Sequence, residues 1–143
     1  MTYLPDVNLL VALAWPVHVH HGAAHAWFRD HHERGWSTCG ITESGFIRVS
    51  SNRRVTPDAR PPAEAAEVLT RMCSLAGHSF VSDSVQLSHH VETLRGNVHG
   101  SAHVTDLHLI LVAKQNELRF VTFDRGAAQL ADTLRLGVDL LSI

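Results

Sequence analysis

The chain has 143 residues, 45% hydrophobic and 18% charged, with a formal net charge of −2. That composition suits a single soluble domain with a real core, and it excludes a disordered chain and a strongly basic nucleic-acid binder. No apolar run is long enough for a membrane span, and no basic n-region precedes an apolar segment at the N-terminus, so a cytoplasmic location is expected. Cys39 and Cys73 lack CxxC spacing and read as small buried thiols in a reducing compartment. Arg supplies eleven of the twelve basic residues, with Lys114 the only Lys, which leaves room for a local site that grips phosphate or carboxylate.

Strand and helix patterns alternate along the chain. Thr2 to Leu4 reads as a short strand closed by Pro5, and Asp6 stands at the N-cap of a helix from Val7 to Trp15 that Pro16 stops. A second helix follows in "HVHHGAAHAWFRDHHERG", with Ala24, Trp27 and Phe28 inward and Gly35 at its end. Trp36 to Cys39 is the next strand, and a helix opening near Thr42 carries Glu43, Phe46, Ile47 and Val49. After the proline-bearing loop "RRVTPDARPP", residues 62–77 form a helix with an acidic first turn. Phe80 and Val81 make a strand; Asp83 and Gln86 form a capping box for a helix to about Leu94. The rest reads as a loop, a buried helix in "VTDLHLILVAKQNE", a strand from Leu118 to Phe123, a short helix in "GAAQLADTL" and a last strand from Val138 to Leu141.

Strands separated by helices predict a parallel sheet covered on both faces, in a single domain over residues 1–143. Such sheets bind ligands at the carboxyl ends of their strands. Asp6 and Asp124 each follow a strand directly, while Glu43 and Asp106 sit in first turns of helices. All four therefore belong to one edge of the sheet. Carboxylates gathered there repel one another, and a divalent cation relieves the repulsion; an all-oxygen set favours Mg²⁺ or Mn²⁺ over zinc. Asp30, Asp58, Asp83, Asp132 and Asp139 read as caps, turn residues or surface charges.

Twelve histidines crowd this chain, and His21 with His25 has the i, i+4 spacing of a metal pair. Without HExxH, they read as exposed or partly packed helix residues rather than a zinc site. Trp15, Trp27, Phe28, Phe46, Phe120 and Phe123 read as core.

Three stretches, "LPDVNLLVAL", "TESGFIRVSSNRRV" and "VTDLHLILVAKQNELRFVTFDRG", resemble PIN-domain ribonucleases of the VapC toxin family, in the expected order. The resemblance implies a three-layer α/β/α sandwich and an acidic quartet of Asp6, Glu43, Asp106 and Asp124. It also implies cleavage of RNA dependent on Mg²⁺ or Mn²⁺, leaving a 5′ phosphate and a 3′ hydroxyl. Asp6 and Asp106 would hold the cation, with Glu43 and Asp124 close by or acting through waters. Asn8 and Thr105 match polar residues that accompany the first and third acids. An inhibitory VapB-type antitoxin and a homodimer are the implied partners. Because carboxylates repel RNA, basic residues must hold the flanking phosphates; Arg48 and Arg125 come first, Arg53 and Arg54 second.

Other function classes meet the same residues less well. A receiver-type signalling domain needs a basic partner near the late strand, but Lys114 falls within a helix. A haloacid-dehalogenase-like phosphatase needs D-x-D where this chain has Asp6-Val7-Asn8. A non-catalytic PIN-like binding module and a nuclease acting on another nucleic acid are the alternatives; metal-dependent RNA cleavage lost on Asp6→Ala separates the enzyme from the module.

Overall fold

In the computed structural model, which describes residues 2–142, the sheet is assembled from very short strands. They are β1 (Tyr3–Pro5), β2 (Trp36–Thr38), β3 (His78–Phe80), β4 (Arg119–Thr122) and β5 (Val138–Leu140). All pairings are parallel, in the order β3-β2-β1-β4-β5. Helices α1 (Val7–Ala14), α2 (His21–His31), α3 (Gly40–Ser50) and α4 (Pro62–Cys73) cover one face. On the other lie α5 (Val91–Asn97), α6 (Val104–Gln115) and α7 (Arg125–Thr133). The expected three-layer α/β/α sandwich around a parallel sheet is therefore the architecture found.

Successive strand residues point to opposite faces, so each central strand feeds both cores. Tyr3 and Val121 pack with Leu9, Trp27 and Phe46, whereas Leu4 and Phe120 pack with Leu107 and Ile110. Burial on both sides is why these strands read as apolar runs without alternation. Trp36 is fully buried and Tyr3 nearly so, and both join the first core. Trp15 and Phe123 pack against that core from partly buried positions. No helix among the described residues is long and apolar enough to cross a membrane.

Strand β3 lies at His78–Phe80 rather than Phe80 and Val81, α4 stops at Cys73 rather than at residue 77, and two helix starts depart from the sequence reading. Helix α3 starts at Gly40 because Cys39 is its N-cap; Thr42 occupies the third helical position and its hydroxyl accepts from the Cys39 N–H at 3.0 Å. Thr42 is thus the reciprocal half of a capping box, not the cap. Asp83 starts no helix. Its Oδ1 accepts from the Val85 N–H at 3.0 Å, and its Oδ2 lies 2.7 Å from Nε2 of His108 on α6. Ser84 donates to Gln115 and Asn116 donates to the Ser82 carbonyl. These contacts strap residues 82–86 onto α6 in non-helical form, and regular helix resumes only at Val91.

Candidate active site

From β1 the chain winds outward to β2 and β3, then crosses back to place β4 on the other side of β1. The carboxyl ends of β1 and β4 therefore flank a topological switch point, where a parallel sheet opens a crevice. Asp6 follows β1 and caps α1, its Oδ1 accepting from the Val7 N–H at 2.7 Å. Its Oδ2 accepts from the Thr122 hydroxyl at 2.8 Å, at the end of β4. That same hydroxyl oxygen accepts the Asp124 N–H at 3.0 Å, so Thr122 ties both strand exits together. Asp124 caps α7, its Oδ1 accepting from Gly126 at 2.7 Å and Ala127 at 3.1 Å. Asp106 enters from the first turn of α6, where Nδ1 of His103 stands 3.2 Å from its Oδ2.

Asp6, Asp106 and Asp124 sense one another's charge. Burial pushes the Asp6 carboxyl up from 3.8 to about 6, partly offset by the Thr122 and Val7 hydrogen bonds; the charges of Asp106 and Asp124 push the same way as burial. Asp106 is also raised, first by burial and then by the Asp124 charge, against the His103 contact. The group grades from buried Asp6 through half-buried Asp106 to exposed Asp124. A cleft of about 300 Å³ lined by His103, His99, Asn97, Gly126 and Gln129 adjoins it.

Glu43 is oriented differently. Its Oε2 accepts from the Thr38 hydroxyl at 2.7 Å. Burial pushes the Cys73 thiol up and the Glu43 charge adds to it, whereas burial holds His78 below the usual imidazole range, partly offset by the Glu43 charge. Glu43, Cys73 and His78 offer ligand atoms within 4.8 Å of one another, the one such group of three found among the described residues. It is a candidate metal-binding triad one strand away from the switch point. Neither Cys73 nor His78 carries a motif in the sequence: they become neighbours only because β3 pairs with β2 in register Thr38↔Phe80.

Asn8, Thr105, Arg48, Arg125, Arg53 and Arg54 are all exposed. None of the four arginines belongs to an ion pair among the described residues. Asn8 borders an apolar cleft with Val11, Trp15, Val17 and Val55. Thr122 and His103, which position two of the acids, escaped the sequence reading; Thr122 stands two residues before Asp124, and His103 precedes Asp106 by three, a spacing that puts both on one helical edge. Of the histidine-rich segment, His31 and His32 present Nδ1 to the Trp27 and Phe28 carbonyls at 2.7 and 2.9 Å. A carbonyl only accepts, so both Nδ1 atoms carry protons and the rings staple the end of α2. His21 does the same with the Ala12 carbonyl at 2.8 Å, tying α2 to α1.

The PIN domain profile matches residues 3–133. Over 138 residues the chain is 47% identical to Ribonuclease VapC39 of Mycobacterium tuberculosis, covering 96% of this chain and 97% of that protein. Ribonuclease VapC38 of the same organism is 43% identical over 141 residues, with 98% of each chain covered. Ribonuclease VapC44 is 39% identical over 128 residues, covering 90% of this chain and 89% of its own. With an acid cluster at the switch point of a parallel α/β/α sheet and similarity running nearly end to end, the chain belongs to the PIN-domain family and, within it, to the VapC ribonucleases.

Proposed function

We infer that this protein is the ribonuclease of a VapBC-type toxin–antitoxin pair, a metal-dependent endoribonuclease. The observation that carries the site assignment is the mutual placement of Asp6, Asp106 and Asp124 at the β1–β4 switch point. Among the described residues the only ion pair reaching these acids is His103 with Asp106 at 3.2 Å, so their charge is largely uncompensated by protein cations. An all-oxygen set with excess negative charge fits Mg²⁺ or Mn²⁺. Asp6 and Asp106 would hold the ion, with Asp124 and Glu43 completing the quartet directly or through waters. When bound, such an ion activates water and neutralises charge on the scissile phosphate.

The protein's own part is positional. Thr122 and the Val7 N–H fix both Asp6 oxygens, and the α7 amides hold Asp124 through Oδ1 alone. His103 steadies Asp106 from the cleft side. Arg125 lies next to Asp124, and Arg48 lies five residues beyond Glu43 on α3; both are assigned to the RNA phosphates, with Asn8 and Thr105 as polar contacts beside the first and third acids. Residues 1–143 act as a single PIN domain in this reading. The two free cysteines suit a reducing cytoplasm.

The test is cleavage of cellular RNA with Mg²⁺ or Mn²⁺, with sequencing of the new 5′ ends. Asp6→Asn and Asp106→Asn are expected to lower the rate by about 10²-fold or more while the fold persists. Unchanged cleavage in either variant overturns the assignment of that residue.

A VapB-type antitoxin and a homodimer complete the proposal. Exposed Val17 and Val55 border the cleft at the end of α1, an apolar surface suited to a protein partner. A basic antitoxin tail is assigned to the carboxylate cluster by charge. Reversing that tail's basic residues is expected to abolish inhibition; inhibition at the same concentration would make blockade of the cleft steric.

A further inference from the structure

Thr38 has one hydroxyl proton and two polar neighbours that the ribonuclease site does not require it to join. It donates to Glu43 Oε2 at 2.7 Å and lies 2.9 Å from Nε2 of His78. With its proton committed to the carboxylate, the hydroxyl can only accept from His78, so one residue orients two ligand-type side chains at once. Cys73 completes the trio with its donor atom within 4.8 Å of theirs. The three come from rigid ends of elements: the first turn of α3, the last residue of α4 and the first residue of β3. The turn before His78 is fixed as well. Gly77 has φ +90°, and its carbonyl accepts from the Trp36 N–H at 2.9 Å. The trio opens into a cleft of about 360 Å³, leaving room for a water as the fourth ligand.

A carboxylate oxygen, a thiol sulfur and an imidazole nitrogen are the wrong set for Mg²⁺ and the right one for a softer ion. We propose that Glu43, Cys73 and His78 form a zinc-class site beside the acid cluster, and that filling it holds Glu43 away from that cluster and slows RNA cleavage. Binding releases the Cys73 thiol proton to solvent and leaves the thiolate on the metal. Thr38 then serves as the outer hydrogen-bond partner that keeps the carboxylate turned toward the ion. The inhibitory consequence rests on the ribonuclease reading; metal capture by the trio does not.

The experiment separates these. Co²⁺ is added to the purified protein without RNA, and the near-ultraviolet thiolate-to-cobalt charge-transfer band is followed. The wild type is expected to show the band at one equivalent, displaced by Zn²⁺. Cys73→Ser is expected to lose it, and His78→Gln to weaken affinity about tenfold or more, each by removing a different ligand. A wild type without the band, or a band retained in Cys73→Ser, overturns the site; histidines on α2 cannot imitate it, because they offer no sulfur. Zn²⁺ is then titrated into Mg²⁺-driven cleavage. The wild type is expected to be inhibited near one equivalent, and Cys73→Ser, fully active without zinc, to need about tenfold more or beyond. Equal inhibition of both places zinc at the acid cluster and overturns the regulatory role. A protein that shows the cobalt band but never cleaves RNA instead defeats the ribonuclease reading.

Discussion

Asp6 carries the largest conflict in the molecule at the scale of one residue. It is 7% exposed, both its oxygens accept hydrogen bonds, and its carboxyl is nevertheless raised to about 6, because burial and two neighbouring acids outweigh those bonds. The folded protein holds this proton more tightly than the unfolded chain does. The group's favourable contribution is therefore complete below about pH 4 and is lost as pH rises through about 6, a change of about 3 kcal/mol. Asp6→Asn keeps the cap, since Asn caps helices as well as Asp, and removes the buried charge. In metal-free buffer the substitution is expected to stabilise the protein at pH 7 by about 1–3 kcal/mol and to change little at pH 4. Its amide must donate where the carboxylate accepted from Thr122, which sets the gain toward the lower end. Urea denaturation at the two pH values measures this. Equal effects at both would show that the charge of Asp6 is not what strains the site.

Elements decide whether such residues meet, and here one glycine has a disproportionate effect. At Gly77 the backbone lies at φ +90°, and a Cβ there would stand 2.0 Å from the His32 carbonyl oxygen. Gly77→Ala must displace backbone, not a flexible side-chain end, and disturb the Trp36–Gly77 hydrogen bond that starts the β2–β3 pairing. A loss of at least about 2 kcal/mol is expected, read as a lower denaturation midpoint with an unchanged slope; a neutral result would mean the turn relaxes freely. Much of the element order was legible because caps and apolar runs are local: Asp6 before α1, Asp124 before α7, and strands read to within one residue of their ends at Pro5 and Thr122. Asp83 misled because its capping pattern competes with His108, Gln115 and Asn116, which lie more than 20 residues away and win the segment for α6. The same limit hid Cys73 and His78. Asp6, Asp106 and Asp124 could be placed on one edge from their positions after strands or in first turns, but the contacts of Glu43 depend on Thr38, His78 and the pairing of β3.

Across the whole molecule, charge and protonation should make stability report on metal. With a net charge of −2 the chain has no strong global field, so the local excess at the acid cluster dominates cation binding. A divalent ion that binds only the folded state stabilises it by about 2.7 kcal/mol at a hundred times its Kd, which for a domain of this size raises Tm by roughly 5–10 °C. Occupation also requires ionised Asp6. At pH 7.5 that proton is already gone; at pH 5 it must be displaced, so each unit below about 6 weakens binding roughly tenfold. Mn²⁺ titrations followed by thermal melting are thus expected to give a large shift at pH 7.5 and a much smaller one at pH 5. Asp6→Asn and Asp106→Asn should flatten the pH 7.5 response, whereas Cys73→Ser should keep it, because a hard ion has little use for the thiol. A shift of equal size at both pH values, or one retained in Asp6→Asn, would place the stabilising ion outside the switch-point cluster and remove the link between buried carboxyl and metal.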